Sequence, residues 1–438
     1  MIKGEIMNIV YIHTHDTGRY IKPYGHDIPT PNLMNFAEEG TLFREAHSTA
    51  PTCSPSRAGM LTGMSPHKSG MIGLAHRGFT LNDYSKHVVN HLNKNGFQTV
   101  LCGMQHVAPK AEMIGYDRLI GINEFGEMDD LENARSAAEF LAENHEKPFF
   151  LSFGMEYTHR KFTEISDNID PDYVKTPFPI YDNKENREDM ARFMSSAQKA
   201  DQAVGIVLDA LEENNLRDET LVFFTTDHGI AFPNMKCNLN DSGTGVSLIM
   251  DYPGNDKRGE VIDSLISQLD IYPTICDLLN IDQPDWLEGN SMLPIFNDED
   301  EEIREELFTE VTYHAAYEPM RSVRTKRYKY IKYFDEENII PANIDDSPAK
   351  EFLLEHNYLE KNHAKEYLFD LYFDPAEKEN LIDDSDYEEV YLELKEKLYS
   401  WMEDTDDPLL DSEGRVEKPE DAVVNKKDCI SAEEENFE

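Results

Sequence analysis

One short segment of the chain, from Thr52 to Gly63, combines a cysteine, a proline, an arginine and a short helical run. Pro55 restricts the backbone near the start of the segment, and residues 54–63 can form a helix whose first amide groups attract an anion. Arg57 follows Cys53 by four residues and offers a planar fork of donors to a negatively charged centre. The segment therefore predicts a site beside Cys53 that favours an anion, and without further context Cys53 itself could equally be a buried structural cysteine.

Four more groups of polar residues follow segments that are typical of buried strands. They are His13 to Asp16, Gln105 with His106, Glu156 to Arg160, and Asp227 to Gly229. In a parallel sheet the carboxyl ends of the strands meet at one edge, where ligands gather. Four groups at equivalent strand ends therefore predict one shared pocket.

The elements that must position these residues alternate along the first two thirds of the chain. The predicted strands are residues 8–12, 98–102, 148–153, 220–225 and 246–250, and the predicted helices are residues 86–95, 130–144 and 187–213. This alternation is typical of a parallel sheet that is covered by helices on both faces. We therefore expect an α/β domain over residues 1–305, with a large, mostly parallel sheet sandwiched by helices.

The pattern changes after residue 305. Short strand-like runs at residues 307–312, 320–324 and 328–333 precede a long amphipathic helix at residues 387–401. We expect residues 306–438 to form a smaller α+β domain with an antiparallel sheet that closes one side of the pocket. The tail beyond Asp411 is polar and acidic, and we expect it to be poorly packed.

Composition limits the classes of partner. The 438 residues carry a formal net charge of −45, which argues against nucleic acid or an anionic membrane as a partner. No apolar run is long enough to span a membrane, and the first residues lack the apolar core of a secretory signal. The five cysteines contain no CxxC pair, which fits a reducing compartment. We expect a cytoplasmic protein; the sequence does not indicate its oligomeric state.

The segment around Cys53 also resembles a known signature. Cys53-Ser54-Pro55-Ser56-Arg57, followed by Leu61-Thr62-Gly63, matches the pattern of the sulfatase family. The resemblance implies an alkaline-phosphatase-like fold and the oxidation of Cys53 to formylglycine by a maturation enzyme. Stretches such as Gln105 to Pro109 and Glu318 to Val323 look closest to the N-sulfoglucosamine sulfohydrolase (heparan N-sulfatase) branch.

The resemblance implies one divalent metal, usually calcium, held at two places in the sequence together with Cys53. Asp227 and His228 match the second place, and Asp16 matches the first. His15 stands where the family has a second aspartate. Because calcium prefers oxygen ligands and an imidazole suits manganese or zinc, these two metals are alternatives to calcium.

Further residues take sulfate-handling roles by the same resemblance. Lys236 would grip the sulfate, His159 would protonate the departing oxygen or nitrogen, and His106 would help to release the sulfate. The family commonly has a lysine that contacts sulfate where this chain has Met104, so Gln105 or another cation would have to compensate.

The expected substrate is a sulfated mono- or oligosaccharide, for example the glucosamine end of a heparin-type glycan. Candidate substrate residues are Gln105, His314, Glu318 and Arg321, with His67, His76 and Arg77 as further polar residues of the same regions. Two alternatives stay open. One is hydrolysis of a phosphonate monoester or phosphodiester, which related enzymes perform with formylglycine; the other is a sulfoglycan-binding relic without activity.

Overall fold

The structure is a computed structural model that describes residues 7–121, 129–335, 339–411 and 415–438. Within these ranges the chain forms one sheet of eight strands and one of four. The strands of the large sheet are β1 (Asn8–His13), β2 (Thr41–His47), β3 (Gln98–Gly103), β4 (Arg118–Ile120), β5 (Phe149–Gly154), β6 (Thr220–Thr225), β7 (Leu248–Asp251) and β8 (Val261–Ser267). The strands of the small sheet are β9 (Glu306–Tyr313), β10 (Tyr317–Thr325), β11 (Tyr328–Tyr333) and β12 (Glu366–Asp370).

The large sheet has the order β4-β3-β5-β1-β6-β7-β2-β8. All neighbouring strands pair in parallel except β7, which is antiparallel to both β6 and β2. This confirms the expected α/β class with a mostly parallel sheet.

Helices cover both faces of this sheet. The α-helices are α1 (Pro31–Glu39), α2 (Cys53–Thr62), α3 (Pro66–Ser69), α4 (Val88–Lys94), α5 (Asp130–Leu141), α6 (Lys184–Glu213), α7 (Asp241–Thr244), α8 (Ile271–Leu279), α9 (Leu293–Phe296), α10 (Pro348–Glu355) and α11 (Glu388–Asp404). Ile9 and Tyr11 of β1 pack in one apolar cluster with α2, α4 and α8. Val10 and Ile12 point the other way and pack with α1, α5 and α6. The two-residue period of the strand thus buries both faces.

The register of the central strands aligns their carboxyl ends. His13 of β1 pairs with Gly154 of β5 and with Thr225 of β6. Gly154 in turn pairs with Gly103 of β3. The residues that follow these four strands therefore emerge side by side at one edge of the sheet.

The small sheet, in the order β12-β11-β10-β9, is antiparallel throughout. This confirms the expected second, antiparallel sheet. Strand β9 also contacts the first part of the chain, because the amide of Glu310 donates to the carbonyl of Thr49 at 3.1 Å and that of Tyr313 to Ile72 at 3.0 Å. One apolar cluster contains residues from both parts. The two sheets thus share a core, and a domain boundary at residue 305 stays a prediction.

The described part of the tail, residues 415–438, is mostly exposed but is anchored to the rest of the protein at several residues. Val416, Val424 and Cys429 are buried. The amide side chain of Asn425 donates to the carbonyl of Glu434 at 2.7 Å and accepts from Arg77 Nη1 at 2.6 Å. A polar composition did not prevent packing here, because the chain folds back onto the first part of the protein and satisfies its polar groups there.

Candidate active site

Helix α2 begins at Cys53 and places it at the edge where the four strand ends meet. All ten residues of the helix are buried, and Gly63 ends it in the left-handed conformation with φ of 70°. Such a helix start presents unpaired amide groups and a partial positive charge to its surroundings. Cys53 therefore lies at a helix start, where the backbone favours an anionic group, and its role in a reaction stays a prediction.

Arg57 lies one turn after Cys53 and connects the helix to the strand ends. Its Nη1 lies 2.5 Å from His13 Nδ1, and its Nη2 donates to the Thr14 carbonyl at 2.8 Å and to Asp227 Oδ2 at 3.0 Å. Burial lowers the pKa of Arg57, but the Asp227 carboxylate outweighs this and raises it. The guanidinium is thus a fixed cation between α2, β1 and β6.

Five buried side chains converge beside Arg57. They are His15, Asp16, Cys53, Asp227 and His228, and their donor atoms all lie within 4.8 Å of one another. His15 Nδ1 lies 2.6 Å from Asp16 Oδ1 and 3.2 Å from Asp227 Oδ2. His228 Nε2 lies 3.2 Å from Asp16 Oδ1 and 3.4 Å from Cys53 Sγ. Carboxylate oxygens and ring nitrogens at such separations fit a divalent metal ion.

The electrostatics of this cluster follow from burial and from its cations. Burial raises the pKa of the Cys53 thiol and lowers that of His15 to about 4. Burial alone also raises the pKa of Asp16, but the positive charge of Lys236 outweighs it and holds the pKa well below its usual range. Two ionised carboxylates and a neutral imidazole are the protonation states that a metal ion requires.

Lys236 and His159 lie against the same carboxylate. Lys236 Nζ donates to Asp16 Oδ2 at 2.8 Å and to Asp345 Oδ1 at 3.3 Å. His159 Nε2 lies 3.9 Å from Asp16 Oδ2. Burial lowers the pKa of Lys236, but Asp16 and Asp345 raise it well above its ordinary value, so the amine keeps its charge.

A row of three histidines leads away from the cluster. His15 Nε2 lies 3.3 Å from His106 Nδ1, and His106 Nε2 lies 3.0 Å from His76 Nδ1. His76 is exposed, whereas His15 is fully buried. The row thus joins the cluster to the surface, with His106 between the buried His15 and the exposed His76.

Three of the ten described residues other than glycine that have positive φ belong to this region. Asp16, His106 and Cys237 adopt positive φ angles of 51°, 60° and 65°. This left-handed conformation is uncommon for residues other than glycine and costs of order 1 kcal/mol each. All three positions are candidate functional residues or lie beside one, so the surrounding structure holds them in place.

The contacts of Gln105, in the segment after β3, do not support the prediction that it contacts sulfate. Both ends of the Gln105 amide bind backbone, because Nε2 donates to Ala108 O at 2.6 Å and Oε1 accepts from the Val107 and Ala108 amides. Met104 is buried. The cations that contact the cluster are Lys236, at Asp16, and Arg57, at Asp227.

Glu318 and His314 lie outside the cluster. Glu318 borders a cavity of about 390 Å³ whose wall includes Cys237 and Asn343. Burial raises the pKa of Glu318 to about 7. His314 is buried, and its Nδ1 has no hydrogen-bond partner among the described residues. A substrate role for either residue stays a prediction.

The remaining candidates are engaged in structural contacts. Arg321 is fully buried, with Nε 2.6 Å from Asp407 Oδ2 and Nη2 3.1 Å from Glu310 Oε2. His67 Nδ1 lies 3.0 Å from Glu310 Oε2 in the same network. Arg77 donates to Asn425 and to the carbonyl of Ala432 in the tail. These side chains tie β9, β10 and the last residues of the chain together.

Sequence reasoning missed two residues of the site. His13 accepts from Arg57 and stacks on Tyr11, with ring centroids 4.3 Å apart. Its position in the polar group after the first strand could have indicated that it belongs to the site, but nothing in the sequence indicated its role. Asp345 reaches Lys236 from a segment between β11 and α10, where no pattern in the sequence marks it.

Comparisons with known proteins identify the family to which the chain is similar. The sulfatase family model matches residues 7–281, and that of the N-sulphoglucosamine sulphohydrolase C-terminal region matches residues 235–348. An ulvan-active sulfatase of Formosa agariphila is 29% identical over 418 residues, which cover 93% of this chain and 82% of the relative. N-sulphoglucosamine sulphohydrolase of Homo sapiens is 29% identical over 441 residues, which cover 87% and 86%.

A solved structure also has this fold. It was determined in complex with its substrate D-glucosamine-2-N,6-O-disulfate and has a TM-score of 0.71 at 16% identity, covering 92% of this chain and 99% of that one. Fold, site and relatives together define a sulfuric ester hydrolase. The chain belongs to the sulfatase family, whose model matches more than half of its length.

Among the described residues, no helix is both long and apolar enough to cross a membrane.

Proposed function

We propose that the protein hydrolyses the sulfate ester or sulfamate of a sulfated mono- or oligosaccharide, with Cys53 converted to formylglycine by a maturation enzyme. The observation that carries the proposal is the convergence of Cys53, Arg57 and Lys236 on two buried carboxylates at the strand ends. A helix start and two fixed cations at a reactive cysteine suit an anionic group such as sulfate.

The metal and formylglycine would each have one role in the reaction. Asp16, Asp227, His15 and His228 would hold a divalent metal, which would supply positive charge to offset that of sulfate and to favour ionisation of a nearby oxygen. Formylglycine, when hydrated, supplies that oxygen as the nucleophile in place of the thiol.

Arg57 and Lys236 stabilise the charge of the transferred group. Both cations are held by carboxylates on one side, Arg57 by Asp227 and Lys236 by Asp16. These contacts fix the direction of the N–H groups that do not bond to the carboxylates. Those N–H groups therefore need not rearrange when charge develops on the sulfuryl oxygens.

His159 donates the proton to the departing oxygen or nitrogen. Its side chain keeps 19% of its surface exposed, whereas those of His15 and His228 are fully buried. A group that must meet both the reacting centre and the substrate needs such a boundary position. His106, which lies between His15 and His76, would take up a proton when sulfate is released.

A sulfated sugar is the substrate class that the relatives support. One relative bears the name N-sulphoglucosamine sulphohydrolase, and a structural neighbour was solved with a disulfated glucosamine. We place the sugar next to Lys236, where His314 and Asp345 provide polar groups from the second part of the chain.

The test is release of inorganic sulfate by matured protein from a panel of N- and O-sulfated mono- and disaccharides. Conversion of Cys53 lowers the mass of its peptide by about 18 Da, because SH2 is replaced by O. We expect turnover only in samples that show this shift, and none after Cys53→Ala. Fully converted protein without turnover on any sulfated sugar would favour the relic.

A second candidate is hydrolysis of a phosphonate monoester or phosphodiester. The observation that favours it is the nitrogen-rich cluster, because His15 and His228 suit a stronger Lewis acid than calcium. Phosphodiester turnover that exceeds sulfate-ester turnover for the same leaving group would establish this alternative.

A further inference from the structure

The carboxylates of the cluster offer few oxygens to a metal. Asp16 Oδ2 accepts from Lys236 Nζ at 2.8 Å. Asp227 Oδ1 accepts from the backbone amides of Asp16 at 2.8 Å and His228 at 3.0 Å. One oxygen of each carboxylate, Asp16 Oδ1 and Asp227 Oδ2, faces the centre of the cluster, and Asp227 Oδ2 also accepts from Arg57 Nη2 at 3.0 Å. Calcium takes six to eight oxygens, so two carboxylate oxygens are a poor start for it.

Two histidine ring nitrogens are the other possible metal ligands of the cluster. His228 Nδ1 lies 2.9 Å from the carbonyl of Gly229, which can only accept, so this nitrogen carries the proton and Nε2 faces the cluster with its lone pair. His15 Nε2 lies against His106, and Nδ1 is directed at Asp16 Oδ1 at 2.6 Å and at Asp227 Oδ2 at 3.2 Å. A metal bound there would take the place of the proton that Nδ1 donates to Asp16. The cluster therefore presents two nitrogens and two oxygens.

The cations beside the two carboxylates also disfavour calcium. Lys236 contacts Asp16 and Arg57 contacts Asp227, so each carboxylate already has a cationic partner. Calcium binding depends on uncompensated anionic oxygens. A transition metal gains more from nitrogen lone pairs, with zinc above manganese in the general order of affinities.

We infer that this site selects a nitrogen-binding divalent transition metal of the zinc and manganese class over calcium, and that His15 sets the preference. The inference rests on the metal site of the proposed function, and it concerns metal binding rather than turnover.

The experiment measures metal affinity on the full-length, chelator-treated protein. Ca²⁺, Mn²⁺ and Zn²⁺ are titrated in competition with a chromophoric chelator, using Cys53→Ala protein so that the thiol, 3.4 Å from His228 Nε2, does not itself favour zinc. We expect Mn²⁺ to bind at least about tenfold more tightly than Ca²⁺, and Zn²⁺ more tightly still.

His15→Asp in the same background replaces a nitrogen by an anionic oxygen. We expect Ca²⁺ affinity to rise about tenfold and Zn²⁺ affinity to fall by about tenfold to 100-fold. His356→Asp is the matched control, because His356 lies on the exposed end of α10 and should change neither value.

A second measurement does not depend on a variant. Electron spin-echo spectra of the Mn²⁺ complex should show coupling to two imidazole nitrogens, and one in folded His15→Asp protein. Tighter binding of Ca²⁺ than of Mn²⁺ by the protein with His15, or a Mn²⁺ complex without nitrogen coupling, overturns the inference. Nitrogen-bound metal with no sulfate release by matured protein would instead count against the proposed function alone.

Discussion

Lys236 bridges two carboxylates that come from distant parts of the chain, with its Nζ 2.8 Å from Asp16 Oδ2 and 3.3 Å from Asp345 Oδ1. Asp16 follows the first strand, whereas Asp345 lies in the segment that precedes α10. The second carboxylate is unexpected beside a cation that is proposed to bind sulfate. It lowers the positive potential that an incoming anion experiences, and it offers an acceptor to sugar hydroxyl or amino groups.

Neutralising Asp345 should therefore strengthen anion binding. We expect Asp345→Asn to bind inorganic sulfate about three- to tenfold more tightly, which corresponds to about 1 kcal/mol for a partly exposed ion pair. The measurement is the inhibition constant of sulfate with matured protein. Asp346→Asn is the control, because Asp346 pairs with Lys350 instead. Equal sulfate inhibition in both variants would contradict the placement of sulfate at Lys236.

Arg57 should not tolerate replacement by lysine. A single ammonium cannot contact His13, Thr14 and Asp227 together as the guanidinium does. We expect kcat/KM for sulfate release by Arg57→Lys to fall about 100- to 1,000-fold, as when a preorganised donor is lost. Arg118→Lys serves as the control, since Arg118 forms an exposed pair with Glu143. A loss below about threefold would remove Arg57 from the proposed mechanism.

The role of His159 as proton donor can be tested with the leaving group. We expect His159→Ala to lose about 100- to 10,000-fold in kcat on a sulfated sugar, whose departing atom needs a proton. On an aryl sulfate with an acidic phenol the loss should be small, because that group leaves as an anion. His356→Ala, which changes an exposed histidine, should affect neither substrate. Equal losses on both substrates would indicate a binding role instead.

Much of this site could be predicted because strand ends leave a local mark. Strands β1 and β6 are largely apolar runs that end two or three residues before His15, Asp16 and Asp227, so the sequence pattern alone placed these residues together. Strand β2 was not predicted, because Arg44 and Glu45 interrupt its apolar pattern while its other residues are buried.

Other features depend on contacts between distant segments. No periodic pattern of apolar residues and no motif flanks Asp345 in the sequence. Only the packing of the second sheet brings it to Lys236. Arg321 is polar, lies in a stretch that resembles the sulfohydrolase branch, and was therefore predicted to contact substrate. Its burial between Asp407 and Glu310 depends on the pairing of β9 with β10 and on the chain that follows α11.

The position of Cys53 depends on how closely α2 approaches the segment that precedes it, and Gly59 tests this. A Cβ atom added to Gly59 would lie 2.3 Å from Thr49 Oγ1 and 3.1 Å from two other Thr49 atoms. At this distance at least one of the two residues has to shift. We expect Gly59→Ala to lower the free energy of unfolding by about 1–3 kcal/mol, the usual cost of overpacking. Urea denaturation would measure the change.

The partner substitution decides whether this clash is the cause. Thr49 Oγ1 is buried and has no hydrogen-bond partner among the described residues, so Thr49→Ala alone should cost little beyond a small cavity. Combined with Gly59→Ala it removes the clashing atoms, and the double variant should recover most of the lost stability, with a coupling of about 0.5–3 kcal/mol between the two sites. Recovery of sulfate release in the same variant would show that the clash had displaced the start of α2 and with it residue 53. If the double variant were no more stable than Gly59→Ala, the close approach of α2 to Thr49 would not be what holds Cys53 at the strand ends.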